Sequence, residues 1–412
     1  MKWILFNLLI VCFSYGCQKE IVENSNSDNL SEINFLWKAV LTDGQGSIQG
    51  KTGLHYNDNH VVFAGSENGS QILRTLDIDS GDEVNKWVPS MKVTGLRNYK
   101  YNNQVVLAKG VNVSNFNIDT GEPDWTFTTE DAYFVNSFGL QNMAYIVQYV
   151  YDEESKFHSC IYEVDLEKND EPHLVVCPEY TYEYALATGY IGGVNTVVPF
   201  IENGDTLLFI GFHETQESTK TVPYWGLYNV SKKIWEFKKV QVNEESHSVG
   251  MSYNAFYYQD RFYFTCTNSI QCWDRYTGEK VWRKDFGNSF GFSSIELIEE
   301  HNLIVGSNHD KNTYCLDATT GNQIWSKQVS GASSRVHYQD DVIYIAGGSS
   351  GKFHAIDVVT GEDIWAIKSP DTKHDSQAYF SRQINGIPAK DGEKGKIFVS
   401  SYLTAYCYEA VN

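Results

Sequence analysis

Short apolar runs separated by polar turns recur along the chain. Such runs of three or four aliphatic, β-branched or aromatic residues occupy positions 61–64, 105–108, 207–210, 262–264, 303–305, 343–346 and 397–399. Gly, Ser and polar residues follow most of the runs, as hairpin turns require. Apolar runs this short, bounded by turn residues, are typical of buried strands. The pattern therefore predicts an all-β fold with no helix beyond the N-terminal segment.

A longer sequence motif, which we call the phrase, accompanies three of the apolar runs. It reads small-x-Asp-x-x-Thr-Gly-x-x-x-Trp and begins at Cys272, Cys315 and Ala355. We expect the Asp to accept hydrogen bonds from backbone amides ahead of it, and the Gly to take a positive φ in a tight turn. The small first residue is expected to leave room for a large ring from a neighbouring unit. The residues that carry the phrase are Asp274, Asp317, Asp357, Gly278, Gly321, Gly361, Trp282, Trp325 and Trp365.

Degenerate copies of the phrase extend the repeat over most of the chain. Further Asp-like anchors occur at positions 77, 117, 165, 229 and 409, which makes a series of eight. We expect Trp87, Trp125 and Trp235 to be the docking tryptophans of the weaker copies. A spacing of about 40 residues with strand-like content is typical of propellers and other repeat arrays.

The phrase resembles the tryptophan-docking motif of the PQQ-like (pyrroloquinoline quinone) β-propellers, whose consensus begins with Ala. This resemblance implies an eight-bladed β-propeller of four-stranded antiparallel blades. The chain ends at Asn412 with half a phrase, whereas Trp37 lies in a stretch that resembles the missing half. We therefore expect the N-terminal strand to complete the last blade and close the ring, which removes exposed sheet edges.

The first residues are typical of a targeting segment. Lys2 precedes an apolar run at 3–13, and Gly16-Cys17 resembles a bacterial lipobox. We expect a signal peptide at 1–16, a lipidated flexible tether at 17–32 with the lipid on Cys17, and the propeller domain at 33–412. Plain secretion and an uncleaved anchor are the alternatives. The expected location is the bacterial cell envelope, lipid-anchored, with the outer membrane favoured.

The net charge limits the classes of binding partner, and the cysteine positions bear on disulfides and metal sites. A formal net charge of −20 argues against nucleic acid and anionic lipid as direct partners, because both demand a basic surface. Cys160 and Cys177 lie equally far from the centre of a predicted hairpin, so a disulfide and two free thiols on facing strands both remain open. No Cys/His spacing indicates zinc, and we expect no metal.

The sequence favours a non-catalytic, monomeric scaffold that binds envelope proteins. The resemblance implies that a PQQ-dependent dehydrogenase would carry adjacent cysteines and calcium ligands, but the chain has no adjacent cysteine pair. We therefore expect no cofactor and no enzyme activity. The resemblance extends to the propeller lipoprotein of the outer-membrane β-barrel assembly machinery, which favours a role in outer-membrane protein assembly.

Ligand binding is the alternative function. A Tyr- and Glu-rich stretch at 179–190, inside a long insertion at 172–224, suits an extracytoplasmic carbohydrate or peptide site by stacking and hydrogen bonding. Ordinary strand tyrosines would give the same composition. His337 begins a strand that could face the central channel, although a polar residue at the channel mouth is the simpler interpretation.

Overall fold

A computed structural model describes residues 33–42, 54–68, 70–89, 98–129, 133–151, 157–168, 170–181, 192–217, 220–242, 251–287, 291–329, 331, 335–346, 351–373, 379–401 and 403–411. These residues form eight four-stranded antiparallel sheets, one for each blade of a propeller. The predicted fold class is confirmed. The expected signal peptide, Cys17 and the tether lie outside the described residues.

The first seven blades each take four consecutive strands, and each blade runs from an innermost first strand to an outermost fourth strand. The strands of blades 1 to 4 are β2 (His55–Tyr56), β3 (His60–Glu67), β4 (Ser70–Asp77), β5 (Glu83–Trp87); β6 (Tyr99–Tyr101), β7 (Gln104–Lys109), β8 (Asn112–Asn117), β9 (Glu122–Thr128); β10 (Tyr133–Leu140), β11 (Met143–Tyr151), β12 (Phe157–Asp165), β13 (His173–Val176); β14 (Gly192–Glu202), β15 (Asp205–Glu217), β16 (Lys220–Asn229) and β17 (Ile234–Gln241). The strands of blades 5 to 7 are β18 (Met251–Tyr258), β19 (Arg261–Cys266), β20 (Ser269–Asp274), β21 (Lys280–Asp285); β22 (Phe292–Ile298), β23 (Leu303–Asn308), β24 (Thr313–Asp317), β25 (Gln323–Lys327); β26 (Arg335–Gln339), β27 (Val342–Ala346), β28 (Lys352–Asp357) and β29 (Asp363–Lys368).

Blade 8 joins the two ends of the chain. Its strands are β30 (Phe380–Ile387), β31 (Lys396–Ser401), β32 (Thr404–Glu409) and, outermost, β1 (Phe35–Val40). Trp37 on β1 lies opposite Cys407 on β32. Its indole Nε1 donates a hydrogen bond to the Ile78 carbonyl of blade 1, at 3.0 Å. The predicted closure of the ring by the N-terminal strand is confirmed.

Burial follows the position of a strand in its blade. The short apolar runs of the sequence are mostly second strands, such as β19, which are covered on both faces by neighbouring blades. The fourth strands, such as β9 and β17, alternate between exposed and half-buried residues because one face meets water. Helical structure among the described residues is limited to two 3-10 turns, Glu299–His301 and Pro370–Lys373. None of the described helical turns is long or apolar enough to cross a membrane.

One end of every blade is built from two turns that bond to each other. In each blade, the residue after the Asp-like anchor donates its backbone N–H to a carbonyl in or beside the turn between the first and second strands. The eight donor–acceptor pairs are Ile78–Asn59, Ile118–Asn103, Leu166–Asn142, Val230–Thr206, Arg275–Asp260, Ala318–Asn302, Val358–Asp341 and Ala410–Gly395. We call this end of the ring the turn face, and the opposite end, where successive blades are connected, the loop face.

Candidate functional site

The anchor carboxylates hold their turns as the phrase predicts. Asp274 Oδ1 accepts hydrogen bonds from the backbone N–H and the hydroxyl of Thr277, at 2.8 and 3.1 Å. Asp357 does the same with Thr360, at 2.7 and 2.9 Å. These backbone hydrogen bonds favour the ionised form and lower the pKa of both carboxyls. The turn glycines Gly278, Gly321 and Gly361 have φ of 69°, 72° and 73°, in the left-handed region that favours glycine.

Two of the clean tryptophans dock onto the next blade by a hydrogen bond and a ring contact. Trp282 Nε1 donates to the Ala318 carbonyl at 3.0 Å, and Trp325 Nε1 donates to the Val358 carbonyl at 2.9 Å. Each ring also covers the turn glycine of that blade. A Cβ built on Gly321 would lie 2.7 Å from Trp282 Cδ2, so no side chain fits there. The turn glycine is therefore needed for space as well as for its φ.

Trp87 and Trp235 do not occupy the docking position of their blades. The position opposite Thr75 in blade 1 belongs to Asn85, whose amide donates to the Thr120 carbonyl of blade 2 at 2.6 Å. In blade 4 the equivalent position is Phe237, whose ring contacts Gly278. Both tryptophans lie two residues from the docking position. Trp87 still packs against Phe116 of blade 2, with 5.5 Å between the ring centroids, whereas Trp235 packs against Tyr228 of its own blade.

Trp125 and Trp365 occupy the expected register. They lie opposite Asn115 and Ala355 on the third strands of their own blades. Cys272 and Cys315 are likewise opposite Trp282 and Trp325 of the same blade, so the small residue lies beside the ring of its own blade.

A buried ion-pair network replaces indole docking between blades 4 and 5. Arg275 stands where the next two blades have Ala318 and Val358. Its Nη2 lies 2.6 Å from Glu202 and 2.8 Å from Glu236, both on blade 4. Phe237 of blade 4 has no N–H to donate, so an ion pair joins blades 4 and 5, whereas an indole hydrogen bond joins blade 5 to blade 6 and blade 6 to blade 7. The sequence phrase gives no signal for this network.

The first strands of the blades surround a central channel. Side chains from five consecutive blades line a cavity of about 480 Å³ in the channel, and the described lining residues are His55, Asn98, Tyr99, Ser137, Phe138, Gly139, Val197, Val198, Pro199, Ala255 and Phe256. Neither His55 nor Asn98 has a sequence signal that marks it as a channel residue. Only the order of strands within a blade places them there.

Burial keeps three histidines uncharged. Burial, together with the nearby charge of Lys100, lowers the pKa of His55 from 6.5 to about 4. Burial also lowers the pKa of His213 and of His337 to about 4. His337 does lie on an innermost strand, β26, but the described lining of the cavity does not include it.

The start of the long insertion is fixed to blades 3 and 4. Cys160 and Cys177 form a disulfide bond. Tyr180 is buried, and its hydroxyl donates to the Ser159 carbonyl at 3.0 Å. Thr181 donates its backbone N–H to the buried carboxylate of Glu214 at 2.8 Å. Tyr180 therefore serves the core and is not exposed for stacking, and residues 182–190 of the Tyr- and Glu-rich stretch lie outside the described residues.

The two faces of the ring differ in surface chemistry. Among the described residues, large exposed tyrosine rings lie on the loop face at Tyr133, Tyr151 and Tyr379, and on the turn face at Tyr276. The turn face carries many exposed carboxylates on its turns, namely Asp58, Asp79, Asp82, Glu122, Glu167, Asp260, Glu279, Glu299, Glu300, Asp340, Asp341, Glu362 and Glu409. The loop face therefore has three of these four aromatic side chains, which favour protein interfaces, whereas the carboxylates of the turn face repel anionic surfaces.

Comparison with known proteins supports the repeat assignment. Residues 229–412 match a family of PQQ-like repeats described as outer membrane protein assembly factor BamB. The resemblance to PQQ-like propellers is thus confirmed, and the match covers the three clean copies of the phrase. The search of curated proteins gives no match.

Solved structures share the architecture at low sequence identity. BamB from Moraxella catarrhalis is 9% identical, with 92% of this chain and 100% of that chain covered and a TM-score of 0.59. Quinohemoprotein alcohol dehydrogenase from Comamonas testosteroni is 9% identical, with coverages of 92% and 76% and a TM-score of 0.62. The computationally designed Ika8 protein is 14% identical, with coverages of 89% and 99% and a TM-score of 0.59. At these identities the similarity shows the fold alone.

Proposed function

We propose that the protein is a non-catalytic interaction scaffold of the bacterial envelope, held at a membrane by a lipid on Cys17 and bound through its loop face to envelope proteins. The observation that carries the proposal is the exposure of Tyr133, Tyr151 and Tyr379 on one face of a closed ring. Tyrosine supplies a large contact area with a polar tip, which suits a protein partner. The match to the BamB family favours outer-membrane protein assembly as the setting.

The rigidity of the ring also suits a scaffold. All eight blades repeat the same turn-face hydrogen bond, and β1 closes the ring without a free edge inside it. A rigid frame holds attached loops in fixed relative positions, so a partner can be bound without a large ordering cost.

The cavity does not fit the cofactor of the quinoprotein dehydrogenases. Pyrroloquinoline quinone carries several carboxylates and is held with a calcium ion in those enzymes, so it needs cationic side chains and oxygen ligands nearby. The described residues that line the cavity include no Lys, Arg, Asp or Glu. Cys160 and Cys177 are 17 positions apart and also do not line the cavity. We therefore assign no catalytic step to this chain.

Site-specific photo-crosslinking tests the scaffold. A photoreactive amino acid placed at Tyr133 or Tyr151 in the full-length protein should form adducts with an envelope protein in intact cells. Val359 on the turn face is the matched control, because its exposed fraction of 53% is close to the 57% and 59% of the two tyrosines. Adducts from the tyrosine positions alone support the proposal. No adducts, or equal adducts from Val359, would overturn it.

The lipid anchor is tested in the same cells. Cys17→Ser should abolish incorporation of labelled palmitate and release the protein from the membrane fraction. Adducts from Tyr133 should then fall, because the local concentration of the partner falls with the anchor. Palmitate that still enters the Cys17→Ser protein would contradict the assignment of the lipid to this residue.

A further inference from the structure

A cluster of three side chains that can ligate metals lies in the outer half of blade 3. The ligand atoms of His158, Cys160 and Cys177 all lie within 4.8 Å of one another. Among the described residues, this is the one group of three or more His, Cys, Asp or Glu side chains that are close enough to share an ion. Neither the docking phrase nor the proposed loop-face interaction uses these side chains.

The pairing of two strands assembles the cluster. His158 and Cys160 are two positions apart on β12, so they lie on the same face of the blade. Cys177 directly follows β13, and its Cα lies 4.2 Å from the Cα of Cys160. The two cysteines are 17 positions apart, which is not the short Cys-x₂₋₄-Cys spacing of zinc motifs. The hairpin therefore brings together ligands that the sequence spacing does not reveal.

The cysteine pair is oxidised in the structure, and one of its sulfurs is the easier to attack. Only thiolates ligate metals, so the disulfide must open before a cation binds. Cys160 is 1% exposed, whereas Cys177 is half-buried. A thiolate from solvent is therefore expected to attack Cys177 Sγ, with Cys160 as the leaving thiolate. When the reductant is a dithiol, its second thiol completes the exchange: the dithiol becomes a disulfide, and two electrons and two protons pass to the cysteines.

The opened pair has the spacing that zinc requires. Zn–S bonds of about 2.3 Å and Zn–N bonds of about 2.0 Å at tetrahedral angles place neighbouring ligand atoms about 3.6–3.8 Å apart. The three ligand atoms already lie within 4.8 Å, and breaking the S–S bond lets the sulfurs separate and leaves room for an ion between them. Two thiolates and an imidazole suit Zn²⁺ and similar soft cations, whereas calcium and magnesium take oxygen ligands.

The surroundings of His158 fix its position before any ion binds. Its ring packs against the ring of Tyr180, with 5.4 Å between the centroids. Tyr180 is itself buried, and its hydroxyl donates to the Ser159 carbonyl on β12 at 3.0 Å. A ligand held by its neighbours loses little freedom when the ion binds, which favours binding.

We propose that His158, Cys160 and Cys177 bind one Zn²⁺ or similar soft cation after a dithiol has reduced the disulfide. The cation replaces both thiol protons, which pass to water, and accepts a lone pair from the imidazole of His158; a water molecule takes the fourth position. The disulfide joins β12 to the segment after β13 in the oxidised protein, and the cation joins the same two segments in the reduced protein. This inference does not rest on the scaffold role.

The test uses Co²⁺ as a spectroscopic probe of the full-length protein. The protein is reduced with a dithiol and freed of it under nitrogen. Co²⁺ should then give a thiolate charge-transfer band and the visible absorption of tetrahedral cobalt, saturating at one equivalent, and Zn²⁺ should displace it. The oxidised protein should give neither signal. It is a matched control, because Cys266, Cys272, Cys315 and Cys407 are free thiols in both forms.

Variants identify the ligands. His158→Phe keeps an aromatic ring against Tyr180 but removes the nitrogen ligand, and it should weaken Zn²⁺ binding by about tenfold or more. His173→Phe is the control, since His173 is an exposed histidine on β13 and should not affect binding. The double variant Cys160→Ser with Cys177→Ser should show no thiolate band.

Thermal unfolding gives a second measurement that does not depend on any variant. Zn²⁺ about 1,000-fold above its dissociation constant should raise the melting temperature of the reduced wild-type protein by roughly 5 °C, because it binds the folded state. The oxidised protein should melt at the same temperature with and without Zn²⁺. A purely structural role of the cysteine pair would produce no such difference.

Three results would overturn the proposal. Equal Zn²⁺ affinity of His158→Phe and His173→Phe would remove His158 from the ligands. A thiolate band of equal strength in the oxidised protein or in the double serine variant would place the ion on other cysteines. A reduced wild-type protein without a thiolate band and without a Zn²⁺-dependent rise in melting temperature would leave the pair as a structural disulfide only.

Discussion

Replacing Trp37 with alanine should open the ring at the place where the two chain ends meet. Trp37 is 6% exposed and lies in a cluster with residues of blades 8 and 1. Its indole N–H is bonded to the Ile78 carbonyl, and its ring covers Gly81 of blade 1. The substitution removes the pairing of blade 8 with blade 1 on the outer side of the ring, while the strand pairing of β1 with β32 remains.

The expected loss of stability follows from the size and burial of this side chain. Truncation of a buried tryptophan to alanine costs about 3–5 kcal/mol, and the Ile78 carbonyl loses its donor as well. Leu36→Ala is the matched control, because Leu36 is the adjacent residue on β1 and is 52% exposed. Its substitution should change the free energy of unfolding by less than about 1 kcal/mol.

Urea unfolding followed by circular dichroism measures both variants. The midpoint of Trp37→Ala should fall well below that of Leu36→Ala. Deleting residues 33–41 should lower stability further and promote aggregation through the bared edge of β32, whereas deleting residues 18–32 should leave the midpoint unchanged. Equal midpoints for the two alanine variants would refute the argument that Trp37 locks the ring.

Three further predictions concern the blade junctions and the buried histidines. Arg275→Val should cost about 3 kcal/mol because it leaves two glutamates without their cation, and changing both glutamates to Gln in the same protein should restore most of the loss in urea unfolding. Gly321→Ala should destabilise more than Gly204→Ala in thermal unfolding: both glycines have positive φ, but only Gly321 lies under an indole, so equal effects would mean that the clash is unimportant. The three histidines with a pKa near 4 are neutral when folded and take up protons on unfolding below about pH 6.5, so stability should fall between pH 6.5 and 4 by about 1.4 kcal/mol per pH unit for each. His337→Asn should reduce this slope by about one third, and an unchanged slope would contradict the assignment.

The fold could be predicted from the sequence because its turns require residue types that have specific backbone roles. Asp274 needs donors ahead of it and Gly278 needs a positive φ, and both requirements are visible without coordinates. The closure of the ring was also predictable, since half a phrase at each end can be completed only by the other. These signals depend on short stretches of residues, so a single sequence is enough to recognise them.

The identity of the docking residue was harder to predict, because the docking residues were assigned by their being tryptophan and not by their distance from the anchor. The clean copies place the docking side chain eight positions after the anchor, and the same count from positions 77 and 229 gives Asn85 and Phe237. Trp87 and Trp235 were expected to be the docking residues because they are tryptophans. The register of the outer strand is fixed by its turn, so the count from the anchor decides which side chain faces the next blade.

The channel and the Arg275 network could not have been found by the same means. His55 and Asn98 are 43 positions apart and meet only because first strands of adjacent blades line one axis. Arg275 occupies a position that other copies fill with an aliphatic residue, and its partners lie in the preceding blade. Contacts between blades depend on the geometry of the closed ring, which a repeat pattern does not encode.

The pairing of β1 with β32 also sets the order in which the ring can be completed. The N-terminal strand is made first, and the strand that it pairs with is made last. Seven blades can assemble from consecutive strands, but the eighth needs both ends of the chain. Strand β32 therefore keeps an unpaired edge until β1 pairs with it, and this is the stage of folding at which a chaperone has the most to protect.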